Sequence, residues 1–142
     1  MTKKQRLEKI IIGTLLDNNS HYEVCRCCVI QDMFSNPTLA RIYGLIVQMR
    51  NEGAKLTDPY SIYERYGEQV ADIVGEMCAL CQEYSFEFMK LRYNECKWFD
   101  YLIYCVPQVV TSVSFEYYVS EFLKEVMKDE KRRSVAAESP AA

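Results

Sequence analysis

Between Asn36-Pro37 and Gly53 the chain carries a helix whose two boundaries are written into its residues. An asparagine side chain accepts hydrogen bonds from the free N–H groups of a first turn, and a proline has no N–H to lose there. A glycine past the last turn reaches the left-handed backbone that ends a helix. Between these marks Leu39, Ile42, Tyr43, Ile46 and Val47 recur at i, i+3, i+4, i+7 and i+8, with Arg41, Gln48 and Glu52 on the opposite side. Such a helix buries one face and wets the other. It reads as the scaffold on which a helical bundle is centred.

The flanking segments obey the same rules. Leu7, Ile10, Ile11 and Leu15 predict a helix from Lys4 to Leu16, with Lys4, Glu8 and the Asp17-Asn18-Asn19 run as its polar surroundings. Ser20 and Glu23 form a Ser-x-x-Glu capping box that opens a second, short helix. Asp58 as cap, Pro59 in the first turn and Gly67 as stop predict a helix over Pro59 to Tyr66. Glu68 to Tyr84 places Val70, Ile73, Val74, Met77 and Leu80 or Cys81 on one stripe of a fifth helix, with Gly75 as its weak point. From Phe86 to Val106 an aromatic-rich helix leaves little polar face, and Pro107 ends it. The stretch "QVVTSVS" reads as extended. Phe115, Tyr118, Val119, Phe122, Leu123 and Val126 then mark a last helix, with Glu121–Lys124 and Glu125–Lys128 as solvent-side pairs worth a few tenths of a kcal/mol each, about 0.2–0.5.

No strand pattern and no repeat accompanies these helices, so the fold class is all-α, a small bundle of about six to seven helices. The 142 residues, 49% hydrophobic, suffice for one core. Residues 1–133 read as one helical interaction domain, and "SVAAESPAA", residues 134–142, as a disordered tail.

Charge and motif content exclude several functions. A net charge of -3 supplies no excess of cations for phosphates, so direct nucleic-acid binding is not expected. No run approaches the length of a membrane helix, and no signal-type segment precedes the 7 cysteines. Free thiols in a reducing cytoplasm follow. With only 5 glycines and no Gly-x-x-x-x-Gly-Lys-Ser/Thr stretch, the chain has no P-loop for a triphosphate.

The order of these signals resembles the N-terminal domain of DnaB-type replicative DNA helicases. "LEKIIIGTLLDNN" is similar to that domain's first helix, with Glu8 to Leu16 matching its Glu-x-x-hydrophobic-hydrophobic-Gly-x-hydrophobic-hydrophobic run. "DMFSNPTLARIYGLIVQMRNEGAKLTDPYSIYERYG" resembles its central helix and short following helix, and "TSVSFEYYVSEFLKEVMKDEKRR" the start of its helical hairpin. The resemblance implies a non-catalytic domain that packs against copies of itself, as a dimer or ring, and docks a primase or a helicase loader. The motor domain is absent from this sequence. The hairpin's second long helix is replaced after Arg133 by the tail, and the aromatic stretch from Phe86 to Tyr104 is longer than the family's connection.

The candidate working surface is therefore a packing surface. Tyr117 falls opposite the Phe115–Tyr118–Phe122 stripe, among Lys124 and Lys128, where no core needs an aromatic. An isolated exposed tyrosine is the alternative. Trp98, Tyr101 and Tyr104 form a second candidate patch, with a core role competing for Trp98.

Two chemical readings stand beside it. A small metal-binding regulator would use Cys25, Cys28, Cys78 and Cys81, with His21 one turn before Cys25, although "GEMCALCQEY" lacks the tight turn of zinc Cys-x-x-Cys pairs. A thiol enzyme would pair His21 with Cys25, oriented by Glu23. Against both, Cys is commonly a small buried hydrophobe, and His21 reads as a solvated residue at a helix start. The remaining acids, Asp17, Asp32, Glu52, Asp58 and Glu64, read as caps and solvated faces, and the Lys128–Arg133 run as favourable charge at a helix C-terminus.

Overall fold

The computed structural model describes residues 1–17, 21–84 and 112–138, with the side chains of the last helix described over 115–135. The described elements are all helical: α1 (Lys3–Asp17), α2 (Tyr22–Cys25), α3 (Pro37–Asn51), α4 (Pro59–Tyr66), α5 (Val74–Tyr84) and α6 (Ser112–Glu138). Short 3-10 turns at Gln31–Met33 and Gly67–Val70 precede α3 and α5.

The bundle is centred on α1. From Ile10 to Leu16 every residue of this helix is buried, and a helix without a polar face belongs inside. Helices α5, α6 and α3 all pack on it. This corrects the expectation that α3 holds the centre: α3 buries Leu39, Ile42, Tyr43, Ile46 and Met49 but keeps a wet side. The stripe read from α1 omitted Ile12, Gly13, Thr14 and Leu16, which fill the second half of its circumference. At Gly13 the α1 and α5 backbones come close enough that a Cβ would sit 2.3 Å from Tyr84 Cδ2 and 3.0 Å from the Leu80 carbonyl oxygen.

Glu8 is a second correction. Expected among the polar surroundings of α1, it is fully buried. Its Oε1 accepts from the Ser35 N–H at 2.5 Å and the Asn36 N–H at 3.2 Å, and its Oε2 accepts from the Ser35 hydroxyl at 2.6 Å. The carboxylate thus lies against the N-terminus of α3, where the helix dipole favours negative charge. Asn36 continues the capping inward, its Oδ1 accepting from Thr38 and Leu39 N–H groups.

Other boundaries follow the residues. Gly53 and Gly67 hold positive φ, 89° and 55°, at the ends of α3 and α4. Asp58 stands at the N-cap of α4 without bonding a backbone N–H, its carboxylate being taken by the Ser61 hydroxyl. The fifth helix expected from Glu68 is divided: the 3-10 turn and a bend at 71–73 bring Val70 and Ile73 into the core before α5 begins at Val74. Helix α6 starts at Ser112, inside the stretch expected to be extended, and continues to Glu138, into the stretch expected as tail. The helix expected over Phe86 to Val106 and the Ser20 half of the capping box lie outside the described residues.

Replacing Glu8 by alanine leaves two N–H groups and a hydroxyl facing an empty site, and is expected to destabilise the fold by about 2–4 kcal/mol. Urea unfolding followed by circular dichroism measures this, with Asn36→Ala as the milder comparison at about 1 kcal/mol.

Candidate interaction surface

Helix α6 is seated by Phe115, Val119, Phe122 and Val126, all buried. Phe122 meets Phe34 edge-on at 5.0 Å, and Phe115 lies 4.9 Å from the His21 ring. The flank of α6 beside α1 is acidic and is met by lysines of α1: Lys3 reaches Glu121 at 2.9 Å and Glu125 at 3.8 Å, and Lys4 reaches Asp129 at 3.3 Å. On the outer side the pairs expected from spacing form, Lys124 to Glu121 at 3.1 Å and Lys128 to Glu125 at 3.2 Å. Glu121 and Glu125 are each shared between two ammonium groups. Hydrogen bonding to Lys3, then to Lys124, holds the Glu121 carboxyl below the usual carboxylate range.

The outer face of α6 carries lysines and apolar groups, with Lys124 and Lys128 held by Glu121 and Glu125 and with Glu130 exposed beside Met127 and Lys131. At helical spacing Tyr117, Lys124, Lys128, Lys131 and Val135 fall in one band opposite the buried stripe, with Met127 at its edge. Tyr117 is 60% exposed and Met127 67%. Beyond Val126 no described side chain of α6 is buried, and Asp129 is still held there by Lys4 of α1. Trp98, Tyr101 and Tyr104, the other expected patch, lie outside the described residues.

A second surface escaped the sequence reading. Leu56, Tyr60 and Tyr63 are exposed before and along α4, Tyr60 at 72%. The signal was present in "PYSIYERY", where Ile62 alone among the large side chains is fully buried and the Tyr60–Tyr63 spacing sets two rings on the outer side. Glu64 lies on the same face and Glu68 follows it, both exposed.

The cysteine chemistry does not assemble. Among the described residues no three His, Cys, Asp or Glu side chains converge on a metal position, so the four-cysteine reading is overturned. Cys25 is sealed in the core, while Cys28 donates to the Val24 carbonyl oxygen at 3.2 Å and Cys78 faces outward. The thiol-enzyme reading fails on electrostatics. Burial pushes the Cys25 thiol up to about 12 and lowers the basicity of His21, partly opposed by Asp17. An activated pair needs the reverse, a lowered thiol beside a competent base. His21, expected to be solvated, is 6% exposed because Phe115 of α6 covers it.

The sequence model of the family described as DnaB-like helicase N terminal domain matches residues 1–83. That span runs from α1 almost to the end of α5 and leaves α6 outside. Neither a search of curated proteins nor one of solved structures gave a match. No helix among the described residues is long and apolar enough to cross a membrane.

Two outcomes follow from the buried pair. In native protein at pH 8, a maleimide is expected to label Cys27 and Cys78 first and Cys25 only on unfolding, read by peptide mass spectrometry. Burial disfavours the His21 cation in the fold, so the unfolded chain takes up the proton more readily, and stability declines as pH falls below the ordinary histidine pKa, about 6.5. Melting curves between pH 7.5 and pH 5, values chosen to straddle about 6.5, should show a decline that is smaller in a His21→Phe variant.

Proposed function

Since the chain belongs to the DnaB-like helicase N-terminal domain family, we propose that it is a non-catalytic interaction module of DNA replication, associating with copies of itself and docking a primase or a helicase loader. The observation that carries this reading is the outer face of α6. Exposed aromatic and thioether groups set among cations are what partner surfaces recruit, and they contribute nothing to this domain's own core. Tyr117, Lys124 and Lys128 form its centre. Tyr101, Tyr104 and Trp98 belong to the same proposal as further contact residues. The exposed free thiols of Cys27, Cys28 and Cys78 suit a reducing cytoplasm.

Light scattering across a dilution series in reducing buffer is expected to show mass rising with concentration to a dimer or a ring. Calorimetric titration with purified primase, and separately with loader, is expected to give binding that a Tyr117→Ala, Lys128→Ala variant weakens by about tenfold or more. A mass that stays monomeric, together with no heat from either partner, would refute the proposal.

A further inference from the structure

A cleft lies between α3 and the segment formed by α2 and its following turn. Buried Tyr22, Val29 and Tyr43 and half-buried Val47 line it, together with the exposed side chains of Arg26 and Ile30. The Tyr43 hydroxyl donates to the Val29 carbonyl oxygen at 2.7 Å, so this phenol has its polar atom satisfied within the fold. Ile30 is 58% exposed, a large apolar side chain that the domain's own core leaves uncovered. Gln31 also borders the cleft, its amide resting on Gly44, where a Cβ would come within 2.7 Å of it. The cleft holds about 220 Å³, below the roughly 300–1,000 Å³ of small-molecule sites and of a size for one large side chain.

Arg26 is the one charged residue in this lining among the described residues, and Asp32, exposed on the next turn, is not part of it. Glu23 is shared between two arginines, its Oε2 lying 3.4 Å from Arg26 and its Oε1 3.1 Å from Arg50. Two guanidinium groups against one carboxylate leave a positive charge beside the cleft. The Arg26 contact is the longer of the two and exposed at both ends, the kind of pair that holds its partners weakly. We propose that the cleft seats one aromatic side chain from a segment of a partner protein, with an acidic residue next to that side chain meeting Arg26. The Tyr22 and Tyr43 rings suit an aromatic occupant. A guanidinium selects a carboxylate over an ammonium, and the Gln31 amide can bond the segment's backbone. The inference rests on the docking reading above and gives it a second surface, one inside the span that the family model matches.

The probe is the blocked dipeptide acetyl-Phe-Asp-amide, titrated into methyl-labelled protein and followed by NMR. It needs neither primase nor loader, so the cleft and the wider docking reading can fail separately. Saturable shifts are expected at the methyl groups of Val29, Ile30 and Val47. Acetyl-Ala-Asp-amide, without the anchor, is expected to bind about tenfold or more weakly, and acetyl-Phe-Lys-amide about two- to fivefold more weakly. Arg26→Glu, on an exposed side chain, is expected to reverse the order of the Asp and Lys peptides. Val47→Phe fills the cleft and Ile30→Ser removes its exposed apolar edge. Both are expected to weaken acetyl-Phe-Asp-amide, with circular dichroism establishing that each variant folds. No saturable shift, shifts centred elsewhere, or equal binding of the Phe and Ala peptides would overturn the proposal. An order of Asp and Lys peptides that Arg26→Glu leaves unchanged would overturn it equally, since the acidic residue would then have no partner in the cleft. If primase and loader give no heat while the dipeptides rank as expected, the cleft stands and its occupant comes from another protein.

Discussion

A single buried carboxylate joins the first helix to the start of the third. Glu8 would be a costly group to enclose in an apolar bundle if nothing met it. The chain entering α3 meets it with two backbone N–H groups and the Ser35 hydroxyl, at a point where a helix start would otherwise leave donors unsatisfied. Each side settles the other's debt to water. The bond also sets register: with α3 held at its first turn, Ile42, Tyr43 and Ile46 descend into the core, and the Tyr43 hydroxyl ends 2.7 Å from the Val29 carbonyl oxygen.

From that anchor the rest of the bundle is arranged around α1. One side accepts α5 at a distance that only glycine at position 13 allows, because Leu80's carbonyl oxygen and the Tyr84 ring occupy the space of a side chain. Another side accepts α6, whose aromatic seat on His21 and Phe34 ties it to the segments that follow α1. The lysines at the head of α1 complete the seat by drawing Glu121, Glu125 and Asp129 toward the bundle. Core packing and surface character are therefore linked: the acids that dock α6 through Lys3 also hold Lys124 and Lys128 on its outer side.

How much of this was legible depends on how far apart the partners lie. The ends of α3 and α4 were readable because Asn36, Gly53 and Gly67 act on backbone within a turn of themselves. The outer position of Tyr117 was readable because helical spacing alone sets it opposite Phe115 and Phe122. Glu8 was not, since its partners are Ser35 and Asn36, and a local pattern makes it one more charge beside Lys9. His21 was misread for the same reason, its burial coming from Phe115 on a distant helix. The centrality of α1 was concealed by reading Ile12 and Leu16 against a one-sided template. The division before α5 reflects a turn that a continuous apolar stripe conceals. The α4 surface is not signalled by Asp58, Pro59 and Gly67, which fix where the helix begins and ends and leave open which of its sides is covered.

The free end of α6 has a mechanical consequence. From Val126, the last buried side chain among those described, to Glu138 the helix runs about 18 Å at 1.5 Å per residue. An α-helix of that length is a stiff rod hinged at its seat, so a rotation of roughly 10° there sweeps the tip through about 3 Å. Repacking of a few rings around Phe115 and Phe122 is thereby magnified into a displacement of about 2 Å at Val135. Whatever grips the tip has leverage over the His21 and Phe34 seat, and through it over α1.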